Sequence, residues 1–212
     1  MAAERVTATT QLEPDDDDDV AAARDGDRGA FARLVARHDD ALLLLATRLL
    51  GDLRAAEDAR QAAWLRIWRG LPAFDRHARF RTWAWRIVVN GCRDVQRRAA
   101  TRLQDQGEPL SAAAALPDPA PDPATVIALG EAAAEVRAAL RELPEDEREC
   151  LVLRHWHDLA PAEIAAVVGR PRTTVQSCLA RALTRLALKL RARGAIDDRA
   201  PRVSHERQGG ER

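Results

Sequence analysis

A proline-rich stretch in the middle of the chain constrains the fold more than any other feature of the sequence. Residues 101–125 hold five of the 11 prolines, and the run PDPAPDP covers residues 117–123. Because proline lacks a backbone donor and restricts the residue before it, this run is neither helix nor central strand. We therefore expect a partly stiff, flexible linker between two packed units, at residues 24–100 and 126–195.

Both packed units carry helical patterns. Ala, Leu, Arg and Glu dominate them, and alternating strand patterns are absent. The first unit predicts several helices, of which the last runs from about Arg79 to Arg98. The second unit predicts a helix closed by Pro144, a second from Glu145 to about His157, and a helical pair after it. The predicted fold class is all-α, with two small helical domains.

The two ends of the chain are polar. Residues 1–23 are acidic and lack an apolar core, so we expect a disordered tail and no signal peptide. Residues 196–212 predict a loose polar tail. A hypothesis from charge alone is that the Asp15 to Asp19 tract occupies a basic face and weakens DNA binding by the free protein, most of all at low salt.

The remaining composition favours a cytoplasmic protein. The 3 cysteines, Cys92, Cys150 and Cys178, are scattered and odd in number, which favours reduced thiols over a disulfide framework. No apolar run approaches the roughly 20 residues that span a bilayer, so no membrane insertion is expected.

Positive charge is concentrated in two blocks, although the chain has a net charge of zero. Residues 74–102 hold eight Arg and two Asp, and residues 170–193 hold six Arg, one Lys and no acid. Two such blocks are typical of a protein that binds a polyanion. Solvated helix faces remain the alternative interpretation for either block alone.

The stretch AEIAAVVGRPRTTVQSCLARAL, residues 162–183, fits a helix-turn-helix by spacing. Gly169 falls at the turn, Ile164 and Val168 on the inner face of the first helix, and Val175 and Cys178 where the second helix returns to it. An ordinary helical hairpin is the alternative. The N-terminal half of the second helix would enter the major groove. The candidate residues for duplex DNA there are Arg170, Arg172, Thr173, Thr174, Gln176, Ser177 and Arg181.

Aromatic and basic residues alternate in the first block. Four of the five tryptophans lie between residues 64 and 85. Unpaired bases stack on exposed rings while arginines neutralise phosphates, so this block indicates single-stranded or melting DNA. The alternative is that the rings are core: we expect this for Phe80, and for at least one of Trp83 and Trp85.

At this point the motifs resemble a known family. The segment EDARQAAWLRIWRGLPAFDRHARFRTWAWRIVVNGCRDVQRR is similar to region 2 of extracytoplasmic-function (ECF) sigma factors of the sigma-70 family. The segment LRELPEDERECLVLRHWHDLAPAEIAAVVGRPRTTVQSCLARALTRL is similar to region 4. The resemblance covers roughly residues 28–100 and 126–192. It implies core RNA polymerase and promoter DNA as partners, an anti-sigma factor as a further possible one, and promoter recognition as the function.

The resemblance also implies site residues. Region 4 would read the minus-thirty-five element with residues 170–181. Polymerase would be bound by Asp58, Gln61, Leu65 and Trp68. Single-stranded DNA at the minus-ten element would be held by Phe74, Arg76, His77, Arg79, Arg81, Trp83, Arg86 and Asn90.

The sequence departs from the family pattern in both regions. Ala62 replaces an acid in the polymerase-facing segment, and Ala160 replaces the Ser or Thr that caps the first helix of the helix-turn-helix, a loss of about 1 kcal/mol. Thr173, Gln176 and Cys178 stand in place of the usual Gly, Lys and Arg. We expect altered promoter preference or weaker binding.

Two other functions fit the sequence less closely. A stand-alone helix-turn-helix regulator would bind operator DNA tightly without polymerase, and a helical adaptor would bind polymerase without promoter selectivity. An enzyme is not expected, because the sequence has no Gly-rich phosphate loop, nucleophile elbow or HExxH. No cofactor or metal is expected either, since His155 and His157 are two residues apart and point apart on a helix.

Overall fold

The computed structural model describes residues 16–75, 79–106 and 133–195, which form helices and short connections without a strand. The predicted all-α class is therefore confirmed. The first half holds α1 (Asp16–Arg24), α2 (Arg28–Leu50), α3 (Leu53–Gly70), a 3₁₀ turn (Leu71–Ala73) and α4 (Phe80–Gln106). The second half holds α5 (residues 133–141), α6 (Glu145–His155), α7 (Pro161–Val168) and α8 (Arg172–Ala192).

Local sequence signals set the ends of α2 and α3. The carboxylate of Asp27 accepts hydrogen bonds from the backbone N–H groups of residues 29 and 30 at 2.7 and 3.2 Å. Asp52 accepts from the N–H of Ala55 at 2.7 Å. Such N-caps stabilise a helix by about 1 kcal/mol each. Gly51 ends α2 at φ +71°, a conformation that favours glycine.

The acidic tract differs from the expected disordered tail, because residues 16–24 form α1. Val20 and Ala23 are buried in the core and hold this helix against α2. Asp19 accepts from the Arg33 guanidinium at 2.6 Å, and Asp16 lies 2.9 Å from Nε2 of the buried His38. Asp16 and Asp19 therefore contact a basic face of α2.

Helix α4 extends into the stretch where the linker is expected. Helix α4 continues to Gln106, which takes six residues of the expected linker into the helix. The rest of that linker, at 107–125, lies outside the described residues. So do the first residues of the second expected unit, the N-terminal 15 residues and the polar tail from residue 196.

The two halves pack against each other, a point that the sequence left open. Buried side chains of α1–α4 and of α6–α8 form one continuous apolar cluster, which includes Val88 and Cys92 from α4 and Val152 and Val168 from the second half. A smaller cluster of Leu140, Leu143, Leu151 and Ala182 joins α5 to α6 and α8. Contacts of α4 with α7 and of α2 with α6 connect the halves.

The three thiols are buried. Burial raises the pKa of Cys92 to about 12, and raises the pKa values of Cys150 and Cys178 as well. Thiolate chemistry is therefore disfavoured at all three positions. Within the described ranges, no helix is both long enough and apolar enough to cross a bilayer.

Candidate nucleic-acid interface

Helices α7 and α8 form the helix-turn-helix that the spacing predicts. Gly169 ends α7 at φ +70°, and its N–H donates to the carbonyl of Ala165 at 2.9 Å. The expected inner residues are all buried, and they are Ile164, Val168, Val175 and Cys178. The turn and the packed face thus leave the opposite face of α8 available to a ligand.

Helix α7 begins without a side-chain cap, as the alanine at residue 160 implies. Instead, the carboxylate of Glu163 accepts a hydrogen bond from the N–H of Ala160 at 2.9 Å, and Pro161 occupies the first turn. The glutamate satisfies one backbone donor that a serine or threonine would not reach from the same position. The backbone donor that a serine or threonine at residue 160 would bind has no side-chain cap here.

The candidate residues for duplex DNA lie on the surface. Six of the seven are exposed and Thr174 is half-buried. Two of the arginines are held by acids of α6: Arg170 Nη1 donates to Asp146 at 3.0 Å, and Arg181 Nε donates to Glu147 at 3.3 Å. Both acids lie in the first turn of α6, where the helix dipole also favours negative charge.

The aromatic block is more buried than expected. Phe74, expected in a base-capturing pocket, is 5% exposed and stacks on Trp83 with ring centroids 4.7 Å apart. Its ring is therefore not available to a base in this structure, because the indole of Trp83 already covers it. Phe80 is buried as expected, and Trp85 is the tryptophan of the pair that is fully enclosed.

The remaining residues of the predicted minus-ten site differ in their exposure. Arg79, Arg86 and Asn90 are exposed, whereas Arg81 and Trp83 are half-buried, and the Arg81 guanidinium lies 5.0 Å from the Trp85 ring. Arg76 and His77 lie outside the described residues. The structure thus brings an exposed basic edge and one accessible indole together along the first half of α4.

The far part of α4 contacts the second half of the chain through a buried ion pair. Arg93 Nε and Nη2 donate to the two carboxylate oxygens of Glu149 at 2.7 and 2.6 Å, and Glu149 is 3% exposed. Burial raises the pKa of Glu149, while the hydrogen bonds from Arg93 oppose that rise. Arg93 also donates to Asn90 at 3.1 Å. Asn90, a residue of the predicted minus-ten site, is thereby linked to α6 through Arg93.

A second contact between the halves surrounds His157. Its ring lies 4.7 Å from that of Trp85, and the Arg48 guanidinium lies 5.0 Å from the neighbouring Trp156 ring. Nε2 of His157 is buried and forms no hydrogen bond within the described part of the chain. Burial, with Arg48 and Arg81 nearby, lowers the pKa of His157 to about 4.

An open apolar groove lies on α3, where polymerase contacts were expected. Asp58, Gln61 and Leu65 are exposed, Leu65 to 54%, and Trp68 is half-buried against Phe31 at 4.7 Å between ring centroids. The groove is lined by Arg28, Phe31, Gln61, Trp64, Leu65 and Trp68. All four predicted polymerase residues therefore share one helix, and three of them meet solvent.

Sequence reasoning missed the acids of α6 that bind arginine. Glu149 precedes the buried Val152 and Leu153 by three and four residues, so helical spacing already places it on the inner face. That spacing was the available signal. The sequence carries no signal for the partner of Glu149, because helical spacing places Arg93 on the same face of α4 as Arg86 and Arg97. Arg86 and Arg97 are exposed, but Arg93 turns inward.

Each half of the chain matches a known protein family. The family described as Sigma-70 region 2 matches residues 34–102, and the family described as Sigma-70, region 4 matches residues 133–186. The RNA polymerase sigma-H factor of Pseudomonas aeruginosa is 31% identical over 163 residues, which cover 74% of this chain and 84% of that protein. The ECF RNA polymerase sigma factor SigM of Mycobacterium tuberculosis is 36% identical over 162 residues, 76% and 78% of the two chains.

One solved structure is similar to this chain over nearly the whole length of the solved protein. The structure of CnrH, a sigma factor of Cupriavidus metallidurans, in complex with the cytosolic domain of CnrY is 28% identical with a TM-score of 0.62. The match covers 84% of this chain and 99% of that one. The similarity therefore extends over both helical halves.

Proposed function

From the premise that this chain belongs to the sigma-70 family, in its ECF group, we propose how its two halves divide the work of promoter recognition. The protein is an RNA polymerase sigma factor, a transcription initiation factor. It binds core RNA polymerase, directs the polymerase to specific promoters and helps to open DNA at the minus-ten element. The alternative of a stand-alone regulator gains no support from its relatives.

The second half reads duplex DNA at the minus-thirty-five element. This assignment is carried by one observation: α8 buries one face against α6 and α7 and leaves its N-terminal polar residues exposed. A helix of this kind fits the major groove, where Arg and Gln side chains distinguish guanine and adenine. Arg172, Thr173, Gln176 and Ser177 are the residues that we assign to base contacts.

The first half holds single-stranded DNA at the minus-ten element. The exposed Arg79, Arg86 and Asn90 would contact the backbone, and the accessible part of Trp83 would offer a ring for stacking. In the packed arrangement Phe74 would support Trp83, because their rings stack on each other. Arg76 and His77 stay in the proposed site on the family resemblance alone.

Polymerase binds the apolar groove of α3. An exposed leucine beside a half-buried tryptophan is typical of the apolar centre of a protein interface, and the polar Gln61 and Asp58 lie at its edge. Ala62, where the family has an acid, removes one charge from this edge. The proposed site of action is the cytoplasm, where promoter DNA and polymerase meet.

The contact between the halves must open for this function. The minus-ten and minus-thirty-five elements are about 25 base pairs apart, which is about 85 Å of duplex at about 3.4 Å per base pair. Residues of the two halves that hydrogen-bond to each other, as Arg93 and Glu149 do, are not that far apart. We assign the packed arrangement to the free protein. An anti-sigma partner would act on the same equilibrium, and the similar CnrH was solved in complex with another protein, the cytosolic domain of CnrY.

Run-off transcription with purified core polymerase tests the function. The template is a library of random promoter sequences, and start sites are mapped from the transcripts. Added protein should produce transcripts from a defined subset of templates that share two sequence elements. A transcript profile identical to that of core polymerase alone would contradict the proposal.

A further inference from the structure

Glu147 is a buried acid of α6 that contacts α8, the helix proposed to read DNA. It lies in the first turn of α6, and its side chain is 4% exposed. One carboxylate oxygen accepts a hydrogen bond from Arg181 Nε at 3.3 Å, and the other lies 3.5 Å from Arg185 Nε. That second oxygen is buried and accepts no hydrogen bond from any residue that the structure describes. A buried carboxylate needs compensating charge, and the two arginines supply it.

The two arginines remain available to a second partner. They stand one helical turn apart on α8, and their side chains are 52% and 50% exposed. Glu147 meets each of them at Nε, the guanidinium nitrogen closest to the backbone. A guanidinium group carries four further N–H donors, which fit the oxygens of a phosphate.

Their position along α8 would place the two arginines at the edge of the major groove of bound DNA. Helix α8 begins at Arg172. At a rise of about 1.5 Å per residue, Arg181 lies roughly 14 Å and Arg185 roughly 20 Å further along the helix. The major groove is about 12 Å wide. With the first turns of α8 against base edges, the two arginines therefore lie beside the phosphates that border the groove.

We propose that Glu147 is a positioning residue for promoter binding: it holds Arg181 and Arg185 in the orientation in which they contact DNA phosphates beside the minus-thirty-five element. This inference rests on the proposed function. Glu147 acts through the arginines and touches no DNA itself. A restrained guanidinium loses less conformational entropy when it binds a phosphate than a mobile one does.

The sign of the effect separates this role from simple electrostatics. A carboxylate near DNA repels phosphates, so its removal would ordinarily strengthen binding. If Glu147 positions the arginines, the neutral variant Glu147→Gln binds DNA more weakly than the wild type.

The experiment measures binding of reconstituted holoenzyme to a promoter that the wild type has selected from a random library, over a series of salt concentrations. Glu147→Gln should weaken binding by roughly 3- to 10-fold. The negative slope of log K against log salt should become shallower by about 1 for each phosphate that the arginines no longer neutralise. The matched control is Glu142→Gln. It removes the same charge from an acid that pairs with Lys189 and Arg193, at the far end of α8, and should leave the slope unchanged.

A double-mutant cycle tests whether Glu147 acts through the arginines. In an Arg181→Ala, Arg185→Ala background, Glu147→Gln should have no further effect on DNA affinity. Binding by Glu147→Gln that equals or exceeds that of the wild type overturns the inference, and so does an additive effect in the cycle. Thermal melting checks that each variant folds.

If Glu147→Gln does not fold, Glu147→Asp replaces it, because the shorter side chain keeps the charge but does not reach the arginines. It should make the slope of log K against log salt shallower in the same way, and an unchanged slope overturns the inference. Wild-type holoenzyme that selects no promoter contradicts the proposed function itself, which distinguishes the two failures.

Discussion

Arg93 of α4 meets Glu149 of α6 across the contact between the halves, 56 residues apart in the chain, with both guanidinium–carboxylate hydrogen bonds under 2.8 Å. The geometry is bidentate and the carboxylate is buried, so this ion pair differs from solvent-exposed salt bridges, which contribute little stability. If the halves separate on a promoter, as proposed above, this pair opposes that separation.

Neutralising Glu149 should loosen the packed arrangement. In Glu149→Gln, Arg93 faces an uncharged amide, and loss of one partner from a buried charge pair costs about 2–5 kcal/mol. Small-angle X-ray scattering of the free protein should give a larger radius of gyration than the wild type. The control is Glu57→Gln, an exposed acid of α3. Scattering curves that coincide for all three proteins would show that the pair does not hold the halves together.

Acid should destabilise the protein through His157. Its pKa is about 4 in the folded state, whereas an unfolded chain has the ordinary value of about 6.5. The unfolded state therefore binds the proton more readily, and the stability that depends on the neutral ring is present above pH 6.5 and lost as pH falls toward 4. We expect a loss of about 2 kcal/mol between pH 7 and pH 5.

Urea unfolding of His157→Phe at the two pH values measures this loss. Phenylalanine keeps a ring against Trp85 and removes the titrating group, so the variant should lose less stability than the wild type between pH 7 and pH 5. Arg48, Arg81 and Asp158 also face the site and are unchanged in the variant. An equal loss in both proteins would assign the acid sensitivity to other groups.

A charge on the groove of α3 should prevent assembly with polymerase. Leu65 is 54% exposed, so Leu65→Asp should leave folding intact and weaken binding to core polymerase by at least 2 kcal/mol, as at an interface hot spot. The matched control is Leu44→Asp, at a leucine of α2 that is 40% exposed. Competition for core polymerase gives the affinities. Equal weakening by both variants would contradict the assignment of the groove.

One residue of α8 should alter promoter preference without altering assembly. Gln176 is exposed near the start of α8, where a glutamine fits the major-groove edge of adenine. Gln176→Ala should cost about 1–3 kcal/mol on the preferred promoter and relax selection at one or two base pairs of the minus-thirty-five element. Transcript sequencing from a promoter library measures both effects. Thr184→Ala, at an exposed residue further along α8, should leave the selected sequence unchanged; if both variants change it equally, Gln176 is not a base-reading residue.

The helix-turn-helix could be predicted because all its constraints lie within about 15 consecutive residues. Gly169 supplies the turn, and Val175 and Cys178 supply the packed face at fixed helical spacing. The aromatic block was harder to predict. Phe80 lies on an evident apolar face and is buried as expected, whereas Phe74 lies in a loop whose surroundings depend on where α4 places Trp83.

The sequence by itself determined the helical class, the two basic blocks and the exposed polar surface of α8, because helix periodicity, turn glycines and local charge are encoded within a few turns of chain. Only the tertiary structure decided which charged groups pair. Glu147 meets an arginine 34 residues away and Glu149 meets one 56 residues away. Periodicity tells which face of a helix is inward, but the partner of a buried charge depends on which helices pack together, since burial makes an unpaired charge costly.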